Sequence, residues 1–180
     1  MTKRVLCLVA DGVEELELVA PVDVLRRAGA DVVLAAVGEV VHVTGRNNIV
    51  LQADQALAEV NVADFDLLLI PGGAAVPTLR QDGRAAALAG NFVQAGKPVA
   101  AICAGPLVLA DAGLLEGKRF TAHFSAANEL PGAQSGERVM EVGLIISSRG
   151  AGTALEFGLA LVDRLFGEAK EEEIARAIMA

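Results

Sequence analysis

The sequence predicts an α/β protein with a mainly parallel, doubly wound central sheet and helices on both faces, and three observations predict it. Apolar runs of strand length recur at 5–10, 32–37, 67–70, 99–102 and 144–147. Most lack polar alternation, as strands covered on both faces do. Between them lie segments of helical period at 15–28, 84–95, 104–112 and 153–165. Gly29, Gly96, Gly113 and Gly167 stand just past these segments, where a left-handed cap ends a helix. Such a β-α-β rhythm closes through right-handed crossovers into a parallel sheet.

The first strand, 5–10, carries Cys7, and the helix after it spaces Leu18, Val22 and Leu25 along one face. The second strand follows Gly29. Between 40 and 51, short alternating segments around Gly45 and the Asn47-Asn48 pair predict a small hairpin extension. The run 67–70 ends at Pro71-Gly72-Gly73, and the run 99–102 ends at Cys103 with a helix over 104–112 behind it. A short apolar segment, 119–122, precedes His123. The strand 144–147, the helix 153–165 and a final helix over 171–179 complete the order.

One domain over 1–180 is expected, because no linker, repeat or low-complexity stretch divides the chain and this length buries a sizeable core. A net charge of −8 argues against nucleic acid as partner, since a phosphate backbone is bound through a basic face. No apolar run approaches the ~20 residues that cross a bilayer. The positive start, 1–4, leads into a short run that stops at Asp11, so neither anchor nor signal peptide is expected. The only cysteines, Cys7 and Cys103, have neither metal-ligand spacing nor the pattern of a disulfide framework, and the two histidines stand far apart. A reduced, cytoplasmic setting without a metal is expected.

In a doubly wound fold, ligands sit outside the carboxyl ends of the strands. Four features converge there: the acidic run 11–17, the Gly72-Gly73 pair, Cys103 and His123. Ala101 and Gly105 flank the cysteine at the spacing of a sharp strand-turn-helix that lifts a nucleophile above a sheet. An exposed thiol with its pKa lowered by the amides of the following helix is therefore expected. Gly72 and Gly73 can bring bare amides to a developing oxyanion, although a tight strand exit alone also accounts for them. Glu17, between Leu16 and Leu18, is expected to be partly buried and to keep or pass a proton. Glu14 and Glu15 are accounted for by the helix dipole.

His123 judged by spacing alone reads as a surface or capping histidine rather than a catalytic one, and His42 reads as structural or solvated. Cys7 reads as a small, inert hydrophobe. Gly150-Ala151-Gly152 begins like a dinucleotide fingerprint, but Leu155 stands where its third glycine belongs. No Walker phosphate loop occurs.

As a set, these residues resemble the ThiJ/PfpI superfamily, in the branch of the parkinsonism-associated deglycase and its bacterial relatives. The matching segments are 12–17, 21–29, 71–73, 100–106, His123 and 148–153, in the family's order. The resemblance implies a flavodoxin-like three-layer sandwich, usually a homodimer, with no organic cofactor. It implies that Cys103 is the nucleophile and oxidation-sensitive thiol, that Glu17 is the acid hydrogen-bonded to it, and that His123 is the nearby imidazole. Gly72, Gly73 and the amide of Ala104 would bind the oxyanion, with Arg46 and Arg27 beside the site. Phe124 and Ala151 stand where relatives often carry proline. The implied activity is that of a glutathione-independent glyoxalase or deglycase acting on a small aldehyde or dicarbonyl such as methylglyoxal, or on its early adducts. An oxidation sensor or redox-controlled chaperone using a Cys103 sulfinate is the alternative. A cysteine peptidase is the weaker reading, because Ala104 stands where the protease branch carries histidine.

Overall fold

β1 (Arg4–Val9) lies inside the sheet, flanked in parallel by β2 (Asp31–Ala36) and β6 (Leu67–Ile70). Its last five residues are buried, as an apolar run with neighbours on both edges and both faces must be. β7 (Val99–Ile102) pairs in parallel with β6, and β9 (Ile145–Ser148) with β7. The two-residue β5 (Gln55–Ala56) closes one edge on β2, while β8 (Val139–Val142) closes the other as the antiparallel partner of β9. The sheet order is β5-β2-β1-β6-β7-β9-β8. Without the two edge strands this is the flavodoxin-like order, which reverses direction beside β1 and opens a crevice there. The computed structural model describes residues 2–38 and 41–180.

Helices cover both faces. α1 (Glu15–Arg27) packs on α5 (Ala154–Phe166), and α6 (Glu168–Ile178) packs on α5. α2 (Val76–Asp82), α3 (Arg84–Gln94) and α4 (Pro106–Asp111) form the other layer. The α1–α5 crossing is close because of Gly158: a Cβ there would lie 2.6 Å from a Val24 methyl carbon and 2.7 Å from the Pro21 backbone. The core joins β1, β6 and β7 to Leu18, Leu25, Val108 and Phe157.

Every expected strand forms within a residue of its expected bounds. The glycines expected as left-handed caps, Gly29, Gly96, Gly113 and Gly167, all have positive φ. The hairpin forms as β3 (His42–Thr44) against β4 (Val50–Gln52), with Asn48 left-handed at its turn. Val40, its expected start, lies outside the described residues. Among the described strands and α-helices, three were not expected: α2, which is short; β5, too short for a pattern; and β8, an edge strand interrupted by Glu141. The helix expected over 104–112 begins only at Pro106, since Cys103, Ala104 and Gly105 form a turn. The last helix begins at Glu168, three residues early.

Candidate active site

Cys103 has a φ of +65°, a left-handed conformation that a residue with a side chain holds only when its surroundings impose it. Three contacts impose it. The Cys103 amide donates to the Ser148 carbonyl at 2.8 Å, its carbonyl accepts from the His123 amide at 2.9 Å, and the Gly105 amide turns back to the Ile102 carbonyl at 2.8 Å. A Cβ at Gly105 would lie 2.6 Å from the Ile70 carbonyl oxygen, so only glycine lets the turn press against the strand end. The sulfur is thereby placed over the carboxyl ends of β6 and β7, with the Gly73 and Ala104 amides donating to it.

Glu17 reaches the same sulfur from the first turn of α1. Its carboxyl is hydrogen-bonded to Cys103, and its Oε2 accepts from the Gly72 amide at 3.0 Å. The residue is only 1 % exposed. Leu18 is buried with it, while Leu16 lies on the outer side of the helix and is exposed. Gly72 makes the contact sterically possible: a Cβ there would sit 2.5 Å from Glu17 Oε2 and 2.7 Å from the Cys103 Cβ. A Cβ at Gly73, whose φ is +88°, would lie 2.5 Å from the Glu14 amide nitrogen and the Gly12 carbonyl oxygen. Both glycines therefore serve the close approach of three strand ends; the Gly73 amide is aimed at the sulfur, while the Gly72 amide, expected to face an oxyanion, is taken up by Glu17.

The thiol differs from the expectation of an exposed group with a lowered pKa. Cys103 is 7 % exposed, and burial, joined by the charge of Glu17, pushes its pKa up to about 12 against the pull of the Gly73 and Ala104 amides. The physical reason is twofold. α4 starts three residues beyond the sulfur, outside the short reach of a helix end, and a carboxylate lies in direct contact. Glu17 is itself raised to about 7, by burial and by the Glu14 charge, against its bond to Cys103. The two groups titrate as a pair. When the carboxyl keeps its proton it donates to sulfur, and the repulsion that opposes the thiolate is gone.

His123 caps the short helical turn 124–126. Its Nδ1 accepts from the Ser125 amide at 3.2 Å and lies 2.9 Å from the Ser125 hydroxyl. An N–H donor on Nδ1 leaves the proton of the neutral ring on Nε2. Burial, followed by the charge of Arg46, lowers its pKa, so the neutral ring prevails at pH 7. The exposed Phe124 ring packs on the imidazole at 4.0 Å between centroids.

Arg46 is carried to the site by the hairpin, which is tied to the loop after β1. Its amide donates to the Val13 carbonyl at 2.9 Å, and the Gly12 amide donates to the Thr44 carbonyl at 2.8 Å. The Glu15 carboxylate completes the tie by accepting from the Asn47 amide at 2.7 Å, the Asn47 Nδ2 at 2.8 Å and the Ile49 amide at 3.4 Å. Burial raises the pKa of Glu15, but these bonds and its own amide outweigh it and the net shift is downward. Glu15 is thus a structural clasp, which the dipole argument missed, whereas Glu14 caps α1 through the Glu17 amide at 3.0 Å. Cys103, Glu17, His123, Gly73, Ala104 and Arg46 line one cavity of about 350 Å³. Gly72 lies against it through Glu17.

Arg27 does not join them. It pairs with Asp23 at 2.7 Å in the last turn of α1, about 15 Å along the axis from Glu17. Its position ten residues on, nearly three helical turns, carries it to the other end of the helix. Ser125, Glu14 and Asn47 line the cavity and were not singled out from sequence. Ser125 had a legible signal, a hydroxyl two residues after a histidine, but that pattern is common in turns. Among the described residues no group of three or more His, Cys, Asp or Glu is placed to hold a metal. Cys7 is fully buried with its thiol pushed far up by burial.

Residues 3–164 match the model of the DJ-1/PfpI family, which covers the strained cysteine, the acid beside it and the imidazole. The chain belongs to the DJ-1/PfpI family. It is 38 % identical over 181 residues to Protein DJ-1 homolog B of Arabidopsis thaliana, with 99 % of this chain and 41 % of that protein aligned. The chain thus spans less than half the length of that relative. It is 40 % identical over 120 residues to a protein of Pyrococcus abyssi named a deglycase, covering 67 % of this chain and 72 % of that one. In three dimensions it resembles the structure of oxidized Toxoplasma gondii DJ-1, with a TM-score of 0.92 at 32 % identity over 99 % of this chain and 98 % of that one. Among the described residues no helix is long and apolar enough to cross a membrane.

Proposed function

We propose that this member of the DJ-1/PfpI family is a cysteine-dependent, glutathione-independent glyoxalase or deglycase acting on methylglyoxal-like dicarbonyls or their early adducts. The observation that carries the reading is a buried carboxyl with a pKa near 7 in contact with a thiol. Two backbone amides, Gly73 and Ala104, aim at the same point. A group that titrates near the working pH serves as both acid and base.

As the Cys103 sulfur adds to the aldehyde carbon, its thiol proton passes to the Glu17 carboxylate and from there to the new oxygen, giving a hemithioacetal and leaving Glu17 ionised. Glu17, now a carboxylate, removes the hydrogen from that carbon. The electron pair moves into an enediolate whose oxygen is held by the amides, with His123 Nε2–H assisting. Glu17 returns the proton to the neighbouring carbon while the hydroxyl proton of the first carbon moves to the neighbouring oxygen, so the first carbon is oxidised to a thioester and the second reduced to a carbinol. The resulting thioester is cleaved by water, releasing the hydroxy acid and restoring the thiol. Arg46 holds the developing negative charge at the cavity mouth. Turnover of methylglyoxal by purified protein, with the hydroxy acid identified, is expected to fall to background in Cys103→Ser; full activity in that variant rejects the mechanism.

The same contact supports a second reading, an oxidation sensor or redox-controlled chaperone, favoured by the oxidized state named for the Toxoplasma gondii relative. A Cys103 sulfinate would accept a hydrogen bond from protonated Glu17. Intact mass after mild peroxide is expected to rise by two oxygens at Cys103 alone, and a thiol that stays reduced while methionines oxidise removes this reading. For a peptidase, no histidine adjoins the nucleophile in sequence, and the neighbour is Ala104. A homodimer is part of the proposal. Leu16 and Val19 of α1 and Ile49 and Val50 of the hairpin are exposed, and the Glu15 clasp brings the two elements side by side.

A further inference from the structure

A second cavity, about 450 Å³, opens beside the one that holds Cys103. The two share His123 and Ala151 in their walls. The second lies under the turn between β9 and α5 and carries two guanidinium groups, Arg138 and Arg149, with no carboxylate in its lining. The arginines differ. Arg138 is committed, to Glu156 at 2.7 Å and to the Gly152 carbonyl at 3.2 Å. Arg149 has no carboxylate within 4.0 Å among the described residues and makes two long bonds from Nη1, to the carbonyls of Ser135 at 3.3 Å and Gly136 at 3.4 Å. Its remaining N–H donors have no protein acceptor among the described residues. Arg149 is partly buried and forms no ion pair among the described residues, and the carboxylate that feels its charge, Glu156, is already held by Arg138. The floor beside it is open, since a Cβ at Gly152 would meet nothing within 4 Å.

We propose that this cavity is a carboxylate subsite, in which Arg149 recognises the acid group of the amine or thiol portion of a dicarbonyl adduct while the dicarbonyl portion sits on Cys103. The inference rests on the function proposed above and narrows it. A free dicarbonyl has no acid group and fills only the Cys103 cavity, whereas an adduct of an amino acid or a small acidic thiol extends past His123. The planar fork of Arg149 matches a carboxylate in two parallel bonds. A guanidinium outside any ion pair, with donors to spare, suits a monoanion. Arg138, already paired, shapes the wall.

The test compares two hemithioacetals of methylglyoxal that differ only in charge, made with N-acetylcysteine and with N-acetylcysteine amide. Wild-type protein is expected to prefer the carboxylate adduct in kcat/KM by about tenfold, the effect of one charge-assisted contact. In Arg149→Gln that ratio is expected to fall to about one through KM, and Arg149→Lys is expected to regain part of it. A ratio near one in wild type, or one that survives in Arg149→Gln, overturns the subsite. A measurement free of turnover separates this from failure of the proposed function. N-acetylalanine titrated into Cys103→Ser protein is expected to shift the amides of 149–153, with Kd weakened about tenfold when Arg149→Gln is added. Binding that ignores Arg149 overturns the subsite whatever the catalysis does. Arg149-dependent binding without turnover of either adduct or of free methylglyoxal leaves the subsite standing and rejects the enzyme reading.

Discussion

Glu17 meets two opposed demands in one side chain. Burial that raises its carboxyl to about 7 makes it useful as acid and base, and the same burial costs stability once it ionises. A carboxyl whose folded pKa lies above its unfolded value of 4.5 contributes stability that is present below 4.5 and lost as pH rises through about 7. Glu17→Gln cannot lose that proton. It is expected to match wild type in urea unfolding at pH 4.5 and to exceed it at pH 8, by on the order of 3 kcal/mol. Its dicarbonyl turnover is expected to fall at least ~100-fold, the usual loss on removing a general acid or base. The Glu15 shift runs the other way but is common to both proteins and cancels from the comparison. At this scale the sequence was partly legible. Cys103 and Glu17 could be named because they stand just beyond strand ends, whereas Arg46 and the role of His123 came only from the resemblance. The protonation of Cys103 could not be read, because it depends on how deeply the sulfur lies and on a contact with a residue 86 positions earlier. Arg27 lies away from Glu17 of the same chain because ten residues of helix separate them.

Elements meet the site through backbone approaches that only glycine permits. Gly158→Ala places a methyl into the α1–α5 crossing and is expected to cost about 1–3 kcal/mol in thermal or urea unfolding, the usual range for overpacking. The hairpin is a separate case, because its hold on α1 passes through one carboxylate. Glu15→Ala removes the acceptor of the Asn47 and Ile49 amides, so hydrogen exchange at these two positions is expected to accelerate by about tenfold or more. Exchange in β1 and β6 is expected to change less, since their bonds lie inside the sheet. The core strands and long helices were legible because a run of Val, Leu and Ile bounded by glycine has few other uses. α2, β5 and β8 were not, being short or at an edge, where local pattern is weak and pairing with the rest of the chain decides.

At the scale of the molecule, reversal of strand order beside β1 gathers loops from four separate parts of the chain around one crevice. The exposed apolar residues Leu16, Val19, Ile49 and Val50 mark the face on which two copies are proposed to join. Sedimentation is expected to give a dimer for wild type and a monomer for Leu16→Lys combined with Val50→Lys; an unchanged assembly places the interface elsewhere. By itself the sequence determined the parallel sheet, its helices and the rim on which the candidate site residues gather. Hydrophobic period and glycine punctuation are local, and the right-handed crossover leaves few topologies. Only the tertiary structure decided that Glu17 touches the sulfur, that Glu15 serves as a clasp, that Arg27 stands apart and that Arg149 faces a second cavity with no ion pair among the described residues. Burial and electrostatic coupling are properties of neighbours in space, which a chain acquires only when distant segments pack.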